Sequence, residues 1–65
     1  ARPSGRLEEA EAMRLFEESR AEVDARPEDW AAWFNLAFAY EAGGDRRMAR
    51  RSLRHAAELY RAAAR

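Results

Sequence analysis

The chain has 65 residues, no cysteine, one histidine, and twelve arginines that balance twelve acidic residues to a formal net charge of zero. This length allows one small domain, 1–65, whose single core is marginally stable by itself. The absence of cysteine excludes a disulfide bond and a thiolate metal site, so that packing must hold the fold together.

The zero net charge hides a separation of charge along the chain. Residues 7–29 hold nine acidic residues and three arginines, a net charge of −6. Residues 46–65 hold seven arginines and one acidic residue, Glu58, a net charge of +6. The first third of the chain is therefore acidic and the last third is basic.

The sequence predicts an all-α fold of three helices, at about 5–25, 28–42 and 45–63. Ala, Glu, Arg and Leu, all good helix formers, dominate the composition, and no stretch alternates polar and apolar residues with the period of a strand. In helix 1, Ala12, Phe16, Ser19 and Val23 recur at helical spacing with Leu15 beside them, which predicts one buried face.

Proline and glycine mark the two breaks between the helices. Pro27 cannot continue helix 1, and it suits the first turn of helix 2. Gly43 and Gly44 are predicted to end helix 2, and Asp45 is predicted to cap helix 3. Because this link is so short, helices 2 and 3 should lie antiparallel as a hairpin.

The hairpin carries a pattern of large and small residues. Trp33, Leu36 and Tyr40 share one face of helix 2, while the small Ala49 and Ala56 should let helix 3 approach closely around Leu53. The offsets resemble those of the tetratricopeptide repeat. The positions that carry this resemblance are Trp33, Leu36, Ala37 and Tyr40, then Gly44 and Asp45, then Ala49, Leu53, Ala56 and Leu59.

The resemblance extends weakly to helix 1, and it has departures. Helix 1 resembles the second helix of a preceding repeat, in which Ala12, Phe16 and Ser19 echo positions of helix 3. The chain departs from the family pattern at Ala37, where glycine is usual, at Leu53, where an aromatic residue is common, and at Arg61, where a repeat-ending proline is expected.

The resemblance implies a protein–protein interaction module and not an enzyme. In the family, one face of the first helix of each repeat lines a groove that binds peptides or partner helices. The matching positions, together with an asparagine common in the family, are Ala31, Phe34, Asn35, Phe38, Glu41 and Ala42. Some relatives clamp a C-terminal carboxylate from positions that are Phe34 and Phe38 here, and two phenylalanines cannot do so.

Three occupants could cover Phe34 and Phe38: helix 1, a second copy of the chain, or a segment of a partner protein. One repeat plus one helix is fewer than the roughly three repeats that bury a continuous core. We therefore expect a homo-oligomer or part of a longer array. The opposite charges of the first and last helices would allow them to meet between copies.

The remaining function classes have weaker support. Arg46, Arg47, Arg50, Arg51 and Arg54 could contact nucleic acid, but no aromatic residue lies among them, which favours a solvated face or ion pairs with helix 1. His55 has no catalytic or metal-binding companion at a recognisable spacing, so no cofactor and no metal are expected. No run is apolar and long enough for a signal peptide or a membrane span, so we expect a cytoplasmic protein without a membrane partner.

Overall fold

The computed structural model describes residues 4–64, with side chains for residues 9–64. These residues form three helices, α1 (Ser4–Ala25), α2 (Trp30–Ala42) and α3 (Arg46–Ala64), and they contain no strand. The predicted all-α fold of three helices is confirmed. The helix ends lie within two residues of the predicted ones, and the largest difference is the start of α2.

The turn between α1 and α2 contains Pro27, which was expected in the first turn of the second helix. Instead α2 begins at Trp30, because the carboxylate of Asp29 caps it by accepting a hydrogen bond of 3.0 Å from the Ala31 amide. The indole Nε1 of Trp33 donates to the Pro27 carbonyl at 2.8 Å. Pro27 therefore serves as an acceptor that ties the turn to α2.

The turn between α2 and α3 is formed as the sequence predicts. Gly44 has φ +86°, a left-handed conformation that glycine adopts without steric cost. The amides of Gly44 and Asp45 donate to the carbonyls of Glu41 and Tyr40 at 3.0 and 2.9 Å, which closes α2 with a Schellman motif. The Asp45 carboxylate then accepts a hydrogen bond of 3.2 Å from the Met48 amide and caps α3.

Helix α2 lies in the middle of the fold. Both α1 and α3 pack on α2, and in the described part of the chain the backbones of α1 and α3 do not contact each other, although Arg20 of α1 and Arg51 of α3 line one groove. On the α1 side, the rings of Phe16 and Tyr40 lie 5.2 Å apart, and the Ser19 hydroxyl donates to the Asn35 carbonyl at 3.4 Å. From Phe16 to Ser19 the chain advances along α1, while their partners go back along α2 from Tyr40 to Asn35. These two helices are therefore antiparallel.

The contacts between α2 and α3 show that these two helices are also antiparallel. The rings of Trp33 and His55 lie 4.4 Å apart, and those of Trp30 and Tyr60 lie 5.2 Å apart. Because α1 and α3 are each antiparallel to α2, they run parallel to each other on its two sides.

The core is small and depends on close approach of the helices. Leu36 is the largest fully buried side chain, with 1% of its surface exposed, and it forms a cluster with Val23 and Ala32. On α3, Ala49, Ser52 and Ala56 are buried, as expected for the two alanines. Leu53 was expected inside the hairpin, and this prediction was wrong: Ser52 occupies the buried stripe and Leu53 is 46% exposed.

Candidate functional site

One side of α2 presents a row of exposed aromatic rings. Trp30 and Phe34 are each 39% exposed, and Phe38 is 59% exposed. Ring centroids are 6.3 Å apart between Trp30 and Phe34 and 5.3 Å apart between Phe34 and Phe38. Tyr60 of α3, 54% exposed, extends the row through its contact with Trp30. We call Trp30, Phe34, Phe38 and Tyr60 the aromatic face.

The position of this face follows from helical periodicity. Residues four apart lie on the same side of a helix, so Trp30, Phe34 and Phe38 project together. Leu36 lies on the opposite side of α2, where the core is buried. Because α1 and α3 occupy the two flanks, the side of α2 that faces away from Leu36 stays uncovered, and it presents these three rings.

The six candidate binding residues of the sequence lie on or beside the aromatic face. Five of them are exposed and Ala31 is half-buried. Phe38, Asn35 and Ala42 line a groove between α2 and α1 together with Leu15. The backbone carbonyl of Asn35 accepts the hydrogen bond from Ser19, which is one of the contacts that fix α1 against α2.

Sequence reasoning missed two members of the aromatic face. Neither Trp30 nor Tyr60 was singled out from the sequence as a binding residue. The signal for Trp30 was its position four residues before Phe34. Tyr60 could not be placed from sequence, because its contact with Trp30 depends on how far α3 runs back along α2.

The structure also answers whether helix 1 covers the two phenylalanines. The side chains of α1 that pack on α2 are Phe16, Ser19 and Val23, and they meet the Leu36 side of the helix. Phe34 and Phe38 keep their exposure in the presence of α1. Within the described residues, nothing in the chain itself buries them.

The edge of α1 beside the aromatic face is acidic. Glu11, Leu15, Glu18 and Glu22 follow one another at spacings of four, three and four residues, so they form one stripe along the helix. All four are exposed, and Leu15, Glu18 and Glu22 line the groove that Phe38 also lines. Arg14 lines a groove with Glu11 and Glu18, and Arg26 pairs with Glu22 at 3.4 Å, so the carboxylates outnumber the arginines here by three to two. We call Glu11, Glu18 and Glu22 the acidic edge.

The edge of α3 beside the aromatic face is basic. Arg46, Arg50, Leu53, Ala57 and Tyr60 repeat at spacings of four, three, four and three residues, and all five are exposed. Since Tyr60 touches Trp30, this stripe borders the aromatic face. We call Arg46 and Arg50 the basic edge.

The other arginines of α3 lie away from the aromatic face, and two of them, Arg51 and Arg54, line a groove with Leu36 and with Arg20 of α1. Arg47, Arg51 and Arg54 are exposed, and in the described part of the chain no ion pair joins an arginine of α3 to an acidic residue of α1. Among the described residues, the ion pairing with α1 that the sequence offered as an alternative to a solvated face is therefore not observed. The two charged edges flank the aromatic face from opposite sides.

The one histidine of the chain lies at the contact between α3 and α2. His55 packs edge-on against Trp33, and its Nδ1 lies 3.8 Å from a carboxylate oxygen of Glu58. Residues 9–64 contain no group of three or more His, Cys, Asp or Glu placed to hold a metal ion. None of the three helices, over the range described, combines the length and hydropathy that crossing a membrane requires.

Comparisons with protein-family models, with curated proteins and with solved structures find no match to this chain. The resemblance to the tetratricopeptide repeat therefore stays a prediction made from the residues of the hairpin. The exposed aromatic face and its two charged edges are the features from which a function can be argued.

Proposed function

We propose that the chain is a protein–protein interaction module of tetratricopeptide type, which binds a helix or peptide of a partner, or another copy of itself, through the aromatic face. The observation that carries this proposal is the row of touching aromatic rings left uncovered on α2. Contiguous apolar surface of this kind is unfavourable in water, and it commonly marks an interaction site.

The residue types suit a binding surface. Trp and Tyr are enriched among the residues that dominate binding energies, because a large rigid ring buries much surface and loses little conformational entropy. Trp30 and Tyr60 supply such rings, and Phe34 and Phe38 continue the surface between the two charged edges. A partner helix with apolar residues one turn apart would match the spacing of the rings.

The proposal can be tested with a library of displayed random peptides. The native chain serves as the bait, and a Phe34→Ser, Phe38→Ser double variant serves for counter-selection. We expect enriched peptides with apolar residues at helical spacing, whose affinity for the double variant is weaker by about ten-fold or more.

The matched control is Met13→Ser, which also changes an exposed apolar side chain to serine, but in a groove that none of the four rings of the aromatic face lines. This variant should bind the selected peptides as the native chain does. Circular dichroism would establish that each variant keeps its helices. Peptides that bind the native chain and the folded double variant equally would overturn the proposal.

A further inference from the structure

We infer that the aromatic face is covered by a second copy of the chain, related by a two-fold axis that runs parallel to α2. In this arrangement the acidic edge of each copy lies against the basic edge of the other. The inference rests on the proposed function, because it names the partner of the same surface. It is carried by the area left exposed, the order of charges across the face and the heights of the charged residues.

The chain exposes more surface than a compact monomer of its mass, and a second copy could cover the excess. The chain has an accessible surface of 5186 Å² for a mass of 7.5 kDa. A compact monomer of that mass exposes about 4,200 Å². The excess of roughly 1,000 Å² is spread over an elongated chain of 51 × 21 × 14 Å, and it is large enough to include the area of about 800 Å² that one partner contributes to a standard interface.

The order of charges selects one way of bringing two copies together. Across the face, the acidic edge of α1 lies on one side of the aromatic rings and the basic edge of α3 lies on the other. A two-fold axis parallel to α2 exchanges the two sides, so that α1 of one copy faces α3 of the other. A two-fold axis perpendicular to α2, in the plane of the face, would instead place α1 against α1 and α3 against α3. Like charges would then face each other, which is unfavourable.

The heights of the charged residues along α2 also agree with this axis. Contacts of Phe16 with Tyr40 and of Trp33 with His55 set the levels of α1 and α3 relative to α2. With a rise of about 1.5 Å per residue, Glu18 and Arg50 come to about the same level. An axis parallel to α2 preserves that level, so Glu18 of one copy faces Arg50 of the other, twice in the dimer.

Charge reversal provides a test in which two defective variants should repair each other. The first variant is Glu11→Arg with Glu18→Arg, and it has two basic edges. The second is Arg46→Glu with Arg50→Glu, and it has two acidic edges. We expect each variant to self-associate about ten-fold or more weakly than the native chain. An equimolar mixture should form a one-to-one dimer, because all facing edges are then opposite in charge.

Matched controls make the same changes of charge on the outer sides of the helices. These controls are Glu17→Arg with Asp24→Arg on α1, and Arg47→Glu with Arg61→Glu on α3, all at exposed positions. Native mass spectrometry of each variant and of the mixture reports the stoichiometry, and circular dichroism reports folding. The controls should dimerise as the native chain does.

Three results would overturn the inference, and they separate it from the proposed function. Reversed variants that dimerise alone as well as the native chain would show that the edges do not meet. A mixture that grows into a series of larger assemblies would show head-to-tail contacts in place of a two-fold axis. A native chain that stays monomeric would exclude a second copy. In each case peptide binding lost in the Phe34→Ser, Phe38→Ser variant would still support the proposed function.

Discussion

The indole ring of Trp30 meets the phenol ring of Tyr60 edge to face, with ring centroids 5.2 Å apart and an interplanar angle of 83°. Trp30 is the first residue of α2 and Tyr60 lies near the end of α3, so this contact joins the open end of the hairpin. It also adds a ring of α3 to the row of rings on α2. The same pair thus supports the fold and extends the proposed binding surface.

The contact between Trp30 and Tyr60 should be measurable by a double-mutant cycle. We expect the free energies of unfolding of Trp30→Ala, Tyr60→Ala and the double variant to give a coupling of about 0.5–1.5 kcal/mol. Denaturant unfolding must be followed at a concentration at which the chain is monomeric. A coupling indistinguishable from zero would contradict the edge-to-face contact.

The difference in burial between Leu36 and Leu53 predicts a large loss of stability for one alanine substitution and a small loss for the other. Leu36 is fully buried, so Leu36→Ala should lower the free energy of unfolding by about 2–5 kcal/mol. A 65-residue chain has little stability to lose, and we expect much of its helical circular dichroism to disappear at 25 °C. Leu53→Ala removes the same atoms from an exposed position and should cost less than about 1 kcal/mol. Equal losses for the two variants would contradict the placement of α3.

The comparison between Leu36 and Leu53 shows what the sequence could and could not predict. The three helices, the link at Gly43 and Gly44, and the buried position of Leu36 follow from periodicity and local chemistry, and the sequence predicted them, apart from the start of α2. The exposure of Leu53 could not be predicted, because Ser52 and Leu53 are neighbours and a rotation of α3 decides which one is buried. From the sequence, Leu53 was expected to face α2 because it lies between the small residues Ala49 and Ala56.

The candidate site was predicted only in part for a related reason. Helical spacing placed Phe34 and Phe38 on one side of α2, but whether α1 would cover them depends on which flank α1 packs against. That choice is made by contacts such as the Ser19 hydroxyl on the Asn35 carbonyl, which no local pattern indicates. The start of α2 was missed by two residues, because Pro27 and Asp29 both suit a helix start.

The two glycines between α2 and α3 should respond differently to alanine. Gly44 has φ +86°, so Gly44→Ala should destabilise the fold by about 1–2 kcal/mol, the steric cost of a Cβ in the left-handed region. Gly43 has φ −87°, and a Cβ there would lie 3.6 Å from its nearest neighbours, an ordinary contact. Gly43→Ala should be neutral or stabilise by up to about 1 kcal/mol. Thermal unfolding of both variants checks this, and the reverse order would contradict the Schellman motif.

The central claim is that the aromatic face is a contact surface between copies of the chain. Sedimentation equilibrium from micromolar to millimolar concentration tests it most directly, with the native chain compared with the Phe34→Ser, Phe38→Ser variant. We predict that the average mass of the native chain rises from 7.5 kDa towards twice that value, while the folded variant stays at the monomer mass. A native chain that stays monomeric throughout, or a variant that associates as strongly as the native chain, would contradict the claim.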